Sequence, residues 1–304
     1  METAGALSFS PLPAENVVAC VGIISDTHMP ERCAAFPAST FEVLQGVELI
    51  LHAGDVGELW VLDRLSAIAP VVAVHGNDDT RAAQRELPYQ QLVSIAGQRV
   101  LLWHSHYPDP AEDRAHRGDP WHAILSRLAE RGRAAGAQVV VFGHAHVPMV
   151  YRTDDVLLVN PGALASGNLF TRQTRQTVGV LFVCDDGALA VAHVDLAAPD
   201  RAFVPDIDWE AGFEVALAQF QSWIVEPDLV EDVSRLSWQA FQDVEALKAA
   251  LLPLCHRCWA GEKEHLTRSE LLDAIERHAD MPPGDRERIV TILKEKSQWK
   301  SAST

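Results

Sequence analysis

The chain has 304 residues, of which 48% are hydrophobic, and 42 acidic residues outnumber 25 basic ones, giving a formal net charge of −17. A chain of this length builds one large or two modest domains, and its hydrophobic fraction is sufficient for a sizeable core. The acidic balance argues against extended binding to a nucleic-acid backbone, which requires lysine and arginine to displace counterions.

Cysteine content and the N-terminal segment indicate the compartment. Five cysteines form an odd, sparse set, which is not typical of a disulfide framework and favours a reducing environment. The lone C-x-x-C at Cys255 and Cys258 is only a weak indication of a zinc site. Residues 1–16 lack a basic start followed by an apolar run, so a flexible tail is predicted rather than a signal peptide. No apolar stretch is long enough to span a bilayer, and we expect a cytoplasmic protein without membrane contact.

The first part of the chain alternates strands with helices. Continuous apolar runs at 17–25, 47–55 and 70–78 predict buried strands, and the segments between them have apolar spacing typical of helices. This β-α-β-α-β order indicates an α/β domain with right-handed crossovers.

The pattern then becomes richer in strands. Three pairs of apolar runs flank turns at 96–97, 154–155 and 185–187, which predicts three strand pairs joined by short turns. Residues 121–132 predict a helix. A parallel first half followed by a strand-rich second half indicates two packed mixed sheets flanked by helices.

The composition changes after residue 196. Residues 197–208 contain two prolines and predict a linker between a domain at 17–196 and an all-helical region at 209–304. An amphipathic pattern begins at Trp209, and Thr267 with Glu270 predicts a capping box for a later helix.

Polar residues follow five of the predicted strands at the point where each apolar run stops. Ligands of α/β sheets bind in the crevice beyond the carboxyl ends of the strands. These residues therefore form a candidate site: Asp26 and His28, Asp55, Asn77 and Asp78, His104 and His106, and His144 and His146.

The spacing of these residues suits metal binding. Asp26 and His28, like His144 and His146, are two residues apart, which places both side chains of a pair on one side of an extended strand. Taken alone, each pair has a simpler interpretation as polar residues at a solvated strand end. Their joint occurrence in one chain order favours a metal centre.

This set of motifs resembles the calcineurin-like metallophosphoesterase superfamily, in particular its small bacterial and archaeal phosphodiesterase branch. The resemblance covers residues 17–196 and includes Asn160-Pro161-Gly162. It implies an α/β (α+β) fold, a four-layer αββα sandwich of two mixed sheets, to which this chain adds a C-terminal all-helical region.

The resemblance also implies a centre of two divalent transition-metal ions. Carboxylate, imidazole and amide donors without a thiolate suit Mn²⁺, our first expectation, and also Fe, Zn²⁺ or Ni²⁺. A bridging carboxylate lets two cations stabilise the attacking and leaving oxygens, and a metal-bound hydroxide is the implied nucleophile. The implied ligands are Asp26, His28 and His146 for the first ion, Asn77, His104 and His144 for the second, and Asp55 as the bridge.

Asn77, Asp78 and His104 are accordingly the expected catalytic residues. Asp78 stands where phosphomonoesterase relatives place a histidine that acts as general acid. It would protonate a leaving group if nearby carboxylates raised its pKa, whereas the alternative is a solvated turn residue. Without a strong acid the enzyme should favour diesters or good leaving groups.

Residues 107–136 form a longer connection than these motifs require, and long loops are often functional. Arg114, His116 and Arg117 in this connection, together with His106, are candidate substrate-binding residues, because guanidinium groups fit phosphate oxygens. The alternative is a solvated loop that leads into a helix.

The predicted function is hydrolysis of small phosphate esters or nucleotides by a dinuclear-metal phosphodiesterase. One alternative is a nuclease of the same superfamily, which the acidic charge disfavours. Another is a catalytically weak scaffold that keeps the fold. The helical C-terminal region leaves room for the scaffold and is a candidate surface for homo-oligomer formation.

Overall fold

The computed structural model describes residues 16–116, 119–236 and 242–294, apart from the side chains at 110 and 114. All but the last residue of the predicted N-terminal tail lies outside this range. The described chain forms two compact units. The first contains the residues up to Gly167 and Gln173–Gln221, and the second contains Asn168–Arg172 and the residues from Ser222 onward.

The chain contains thirteen strands and ten α-helices within the described residues. Their bounds, in chain order, are β1 Val17–Ile24, α1 Ala38–Val43, β2 Leu49–His52, α2 Trp60–Ser66, β3 Val71–Ala73, α3 Arg81–Glu86, β4 Gln90–Ile95, β5 Gln98–Trp103, α4 Pro110–His116, α5 Trp121–Ala135, β6 Val139–Phe142, β7 Met149–Arg152, β8 Leu157–Asn160, β9 Thr171–Gln173, β10 Thr177–Cys184, β11 Leu189–Asp195, β12 Ala202–Phe203, α6 Phe213–Leu217, β13 Gln221–Trp223, α7 Val230–Ser234, α8 Val244–Trp259, α9 Arg268–Arg277 and α10 Pro283–Lys294.

Two mixed sheets organise the first unit. One has six strands in the order β12-β11-β10-β1-β2-β3, with β1, β2 and β3 parallel to one another. The other has five strands in the order β4-β5-β6-β8-β7, with β5, β6 and β8 parallel. Strands β9 and β13 form a separate pair. Two of the boundaries between the residues of the first unit and those of the second fall within these two strands.

The two sheets pack face to face. Val21 and Leu51 of the six-stranded sheet and Val100 and Val141 of the five-stranded sheet belong to one buried cluster. On the outer faces, α1 and α2 cover the first sheet and α5 covers the second. Strands buried on both faces explain why β1, β2 and β6 are continuous apolar runs. The predicted four-layer αββα sandwich is confirmed.

The segment after the second sheet differs from the predicted boundaries. The predicted linker 197–208 contains strand β12, which pairs with β11. The helix expected from Trp209 onward is only the five-residue α6. The rings of Trp209 and Phe213 each lie 5.4 Å from that of Trp121 on α5. Trp209 and Phe213 thus pack within the first unit, which extends to Gln221 instead of ending at residue 196.

The second unit is mainly helical and has its own apolar core, which includes Leu229, Leu251 and Ile275. Thr267 and Glu270 form the predicted capping box at the start of α9. Pro283 is the first residue of α10, a position where its fixed φ and missing N–H are tolerated. None of the five cysteines, all of which lie in the described chain, forms a disulfide bond. None of the described helices is both long and apolar enough to cross a membrane.

Candidate metal centre

The candidate ligands converge where the carboxyl ends of both sheets meet. Strands β1, β2 and β3 of one sheet and β5 and β6 of the other all end at this edge. The residues that follow these strands are, in the same order, Asp26 and His28, Asp55, Asn77, His104, and His144 and His146.

One group of three side chains is buried and closely spaced. Potential ligand atoms of Asp26, His28 and His146 all lie within 4.8 Å of one another. Asp26 Oδ1 lies 3.1 Å from His146 Nε2 and 4.0 Å from His28 Nε2. Asp55 approaches the same group, with Oδ2 at 3.6 Å from His28 Nε2. These are the residues expected at the first ion.

A second group shares the two aspartates. Asp26, Asp55 and His104 have ligand atoms within 4.8 Å of one another, and His104 Nε2 lies 3.2 Å from Asp55 Oδ2. The ring of His144 lies 5.1 Å from that of His104, but its Nε2 faces Asp113 Oδ1 at 3.4 Å. Asp113 on α4 is therefore a neighbour of this group that the sequence did not reveal.

Several donor atoms at this edge fit a divalent cation. His28 Nε2, His104 Nε2 and Asn77 Oδ1 are buried without a hydrogen-bond partner. Leaving such atoms unpaired costs about 1–3 kcal/mol each, so a ligand role for them has a physical reason. His104 Nδ1 lies 2.8 Å from the carbonyl oxygen of Ala53, which leaves Nε2 on the side of the carboxylates. Oxygen and nitrogen donors of this kind suit transition metals such as Mn²⁺.

The ligand residues do not continue the strands. Asp26, His28, Asp55, His144 and His146 all have φ between 43° and 66°, the left-handed region that non-glycine residues rarely adopt. The expectation that each pair presents its side chains from one side of an extended strand is therefore wrong. The side chains converge because the backbone turns sharply after each strand, and such strain is typical of functional sites.

Two glycines leave room for the ligands. A Cβ on Gly76 would lie 2.1 Å from Asp55 Oδ1, and one on Gly54 would lie 2.6 Å from His104 Nδ1. Gly54 also has a φ of 93°. The glycine that precedes the ligand in the G-D and G-N motifs is thus needed for close approach.

Opposite charges shift the pKa values of the buried pair Asp55 and His104. Burial alone would raise the pKa of Asp55, but the charges of His104 and His28 hold it well below its usual range. Burial would lower the pKa of His104, yet Asp55 raises it to about 10. For His28 burial dominates, reinforced by the charge of Arg32, and its pKa falls to about 4. Asp55 therefore stays ionised at neutral pH and supplies negative charge for a cation.

Asp79 is a site-supporting residue that the sequence did not identify. Its carboxylate accepts hydrogen bonds from the backbone N–H groups of Gly57 and Gly76, both at 2.7 Å. It thereby joins the loop after β2, which carries Asp55, to the loop after β3. Burial, followed by the charge of Asp55, raises the pKa of Asp79 to about 6.

Asp78 does not have the environment of a general acid. Arg32 donates a hydrogen bond from Nη2 to Asp78 Oδ2 at 2.8 Å. Burial would raise the pKa of Asp78, but the charge of Arg32 outweighs it and lowers the pKa. The predicted proton donation required a raised pKa, which the pairing with Arg32 opposes, so that role of Asp78 stays a prediction that this geometry does not favour.

The predicted substrate-binding residues occupy different surroundings. His106 is buried beside His104, with ring centres 5.4 Å apart, and its Nδ1 has no hydrogen-bond partner. Burial, then the charge of His104, lowers its pKa to about 3. His116 contacts Asp119 Oδ2 through Nδ1 at 2.9 Å and stacks on Tyr107. The side chain of Arg114 and all of Arg117 lie outside the described residues, so their predicted role stays a prediction.

Comparison with known proteins found related sequences. A family model described as the calcineurin-like phosphoesterase superfamily domain matches residues 20–186. A probable metallophosphoesterase of Methanothermobacter thermautotrophicus is 39% identical over 144 residues, 47% of this chain and 76% of that protein. A phosphodiesterase of Methanocaldococcus jannaschii is 27% identical over 156 residues, 47% of this chain and 82% of that protein.

The comparison with solved structures gave partial matches. Vacuolar protein sorting 29 from Cryptosporidium parvum covers 61% of this chain and 98% of its own, with a TM-score of 0.45 and 19% identity. The family match extends over more than half of the chain and includes every strand end that carries a candidate ligand. The chain belongs to the calcineurin-like phosphoesterase superfamily.

Proposed function

We propose that this protein is a phosphodiesterase that binds two divalent cations and hydrolyses small phosphate esters or nucleotides. The observation that carries the proposal is the shared position of Asp55, whose Oδ2 lies 3.6 Å from His28 Nε2 and 3.2 Å from His104 Nε2. A carboxylate between two imidazoles from different strand ends is suited to bridge two ions. Mn²⁺ is the proposed cation, and Fe, Zn²⁺ and Ni²⁺ are the alternatives.

The chain's own residues have separable tasks in this proposal. Asp26, His28 and His146 would hold one cation, and Asn77, His104 and His144 the other. When bound, such ions neutralise charge on a phosphoryl group and lower the pKa of a nearby water molecule.

Substrate contact is assigned to His106. Its imidazole is neutral at pH 7, because burial, the largest cause, lowers its pKa to about 3. A neutral imidazole beside the ligand group can exchange a hydrogen bond with a phosphoryl oxygen without adding charge. His116 remains a candidate further from this group, and its pairing with Asp119 must break before its ring can turn to a substrate.

The pairing of Asp78 with Arg32 favours diesters over monoesters. An ionised carboxylate cannot protonate a departing alkoxide, so turnover depends on leaving groups that depart unprotonated. It also repels the second negative charge of a phosphomonoester. An activated diester is therefore the best test substrate.

The test is hydrolysis by metal-stripped protein reloaded with Mn²⁺, measured with bis(4-nitrophenyl) phosphate, 4-nitrophenyl phosphate and single-stranded nucleic acid in parallel. We expect turnover of the diester, slower turnover of the monoester, and none without metal. Absence of diester hydrolysis after loading with each of the four candidate metals would overturn the proposal. Cleavage of nucleic acid with a steep salt dependence would favour the nuclease instead.

A matched control comes from an ion pair outside the site. Arg133 and Asp155 are exposed and pair at 2.9 Å, whereas Arg32 and Asp78 pair at 2.8 Å within the site. Asp155→Asn should leave diester hydrolysis unchanged, whereas His104→Asn should remove it. Equal activity of the two variants would contradict the assigned site.

A further inference from the structure

The carboxylate of Asp78 lies beside two of the candidate metal ligands, His28 and Asp55. Potential ligand atoms of His28, Asp55 and Asp78 all lie within 4.8 Å of one another. The backbone N–H of Asp78 also donates to Asp55 Oδ1 at 2.8 Å, which fixes the start of the side chain beside the carboxylate of Asp55. The side chain is 34% exposed, so it stands on the open side of the group.

The neighbouring imidazole supplies an independent observation. His28 is 3% exposed, and its Nε2 is buried without a hydrogen-bond partner at 3.6 Å from Asp55 Oδ2. A buried, unpaired imidazole nitrogen close to two carboxylates is an arrangement expected at a cation position.

Arg32 holds Asp78 from the buried side. Its side chain is 5% exposed, and its guanidinium donates from Nη2 to Asp78 Oδ2 at 2.8 Å and from Nη1 to the carbonyl oxygen of Ser166 at 3.2 Å. Its Nε lies 3.4 Å from Glu31 Oε1. A guanidinium anchored at several points fixes the orientation of the carboxylate that it binds.

We propose that Asp78 is an eighth metal ligand, which completes the coordination of the ion held by His28 and Asp55, and that Arg32 is the positioning residue that orients its carboxylate. The inference rests on the metal centre of the proposed function. It gives Asp78 a task that its position beside His28 and Asp55 and its pairing with Arg32 permit, in place of proton donation.

Arg32 would act on the metal through Asp78. A residue that orients a ligand typically changes metal affinity by about 10–100-fold when it is removed. Loss of the ligand itself should cost at least as much. The effect of removing Arg32 should therefore vanish once position 78 has lost the carboxylate that Arg32 orients.

The experiment is calorimetric titration of the metal-free full-length protein with Mn²⁺, comparing wild type, Asp78→Asn, Arg32→Gln and the double variant. We expect Asp78→Asn to weaken one of the two Mn²⁺-binding steps by about tenfold or more. Arg32→Gln should weaken the same step. The double variant should bind Mn²⁺ no more weakly than Asp78→Asn alone.

Controls separate ligation from folding. Asp155→Asn and Arg133→Gln remove the exposed ion pair and should leave both binding steps unchanged. Thermal unfolding of each metal-free variant should stay within a few degrees of wild type. If Arg32→Gln weakened Mn²⁺ binding equally with and without Asp78, Arg32 would not act through Asp78.

Failure of this inference is distinguishable from failure of the proposed function. Asp78→Asn protein that binds Mn²⁺ as tightly as wild type overturns the ligand role even if wild type hydrolyses the diester. Wild type that binds Mn²⁺ but hydrolyses no ester overturns the proposed function. The titration of the variants would still show whether Asp78 is a metal ligand.

Discussion

Asp55 Oδ2 lies 3.2 Å from Nε2 of His104, although the two residues follow strands of different sheets. Asp55 follows β2 in the six-stranded sheet, and His104 follows β5 in the five-stranded sheet. The contact therefore depends on the face-to-face packing of the sheets, and it places one carboxylate within reach of both groups of candidate ligands.

Asp55→Asn should remove most Mn²⁺ binding and reduce diester turnover by at least about 100-fold, because a bridging carboxylate serves both ions. The amide is of similar size, so the fold should survive. Metal content after gel filtration and initial rates with bis(4-nitrophenyl) phosphate would measure both effects. A variant with full metal content and wild-type rates would show that Asp55 is not the bridge.

Gly76→Ala should impair the site by a steric clash. The added Cβ would lie 2.1 Å from Asp55 Oδ1, so the carboxylate or the loop after β3 must shift. We expect turnover to fall by at least about tenfold, because small displacements of catalytic groups are costly. Gly284→Ala is the matched control, since its nearest neighbour would be Gln242 at 3.7 Å. Equal rates for the two variants would show that Asp55 tolerates the added methyl group.

His193 should make stability depend on pH. It is 2% exposed, and its ring Nε2 lies 2.7 Å from the carbonyl oxygen of Asn160. Burial lowers its pKa to about 4, only partly opposed by this hydrogen bond. Between the ordinary pKa of 6.5 and about 4 the unfolded chain binds a proton that the folded chain does not. The free energy of unfolding should therefore fall as the pH falls through this window.

The size of the His193 contribution follows from about 1.4 kcal/mol per pKa unit, which gives about 3 kcal/mol between pH 7 and pH 4. His193→Gln keeps an N–H donor for Asn160 but does not titrate. Urea unfolding at several pH values should show a shallower pH dependence for this variant. Identical slopes for variant and wild type would exclude His193 as a source of the dependence.

The capping box of α9 should contribute to the stability of the second unit. Thr267 Oγ1 accepts from the N–H of Glu270, and the Glu270 carboxylate accepts from the N–H of Thr267. Thr267→Ala should lower the free energy of unfolding by about 1 kcal/mol. Ser269→Ala changes an exposed residue of the same helix and should cost nothing. Chemical denaturation of both variants, followed by circular dichroism, provides the comparison.

The sequence predicted the sheets and the strand ends well because buried parallel strands are continuous apolar runs that end abruptly in polar residues. Asp26, His28 and Asp55 could be assigned to one site for this reason. Left-handed backbone at these residues has no comparable signal, since aspartate and histidine occupy many conformations.

Side-chain contacts between residues far apart in the chain could not be predicted from the sequence. Arg32 and Asp78 are 46 positions apart, and Asp113 meets His144 only because α4 lies over the ends of the strands. The same limit applies to Trp209, whose apolar spacing predicted a helix but could not show that its ring packs on Trp121. Periodicity indicates which face is apolar, whereas the partner of that face depends on the tertiary fold.

The number of Mn²⁺ ions bound by the metal-stripped wild-type protein tests the central claim most directly. Titration calorimetry, checked by elemental analysis of the reloaded protein, should give two ions per chain, with both lost in Asp55→Asn. One ion or none per chain, or two ions retained by Asp55→Asn, would contradict a two-metal centre built around this carboxylate.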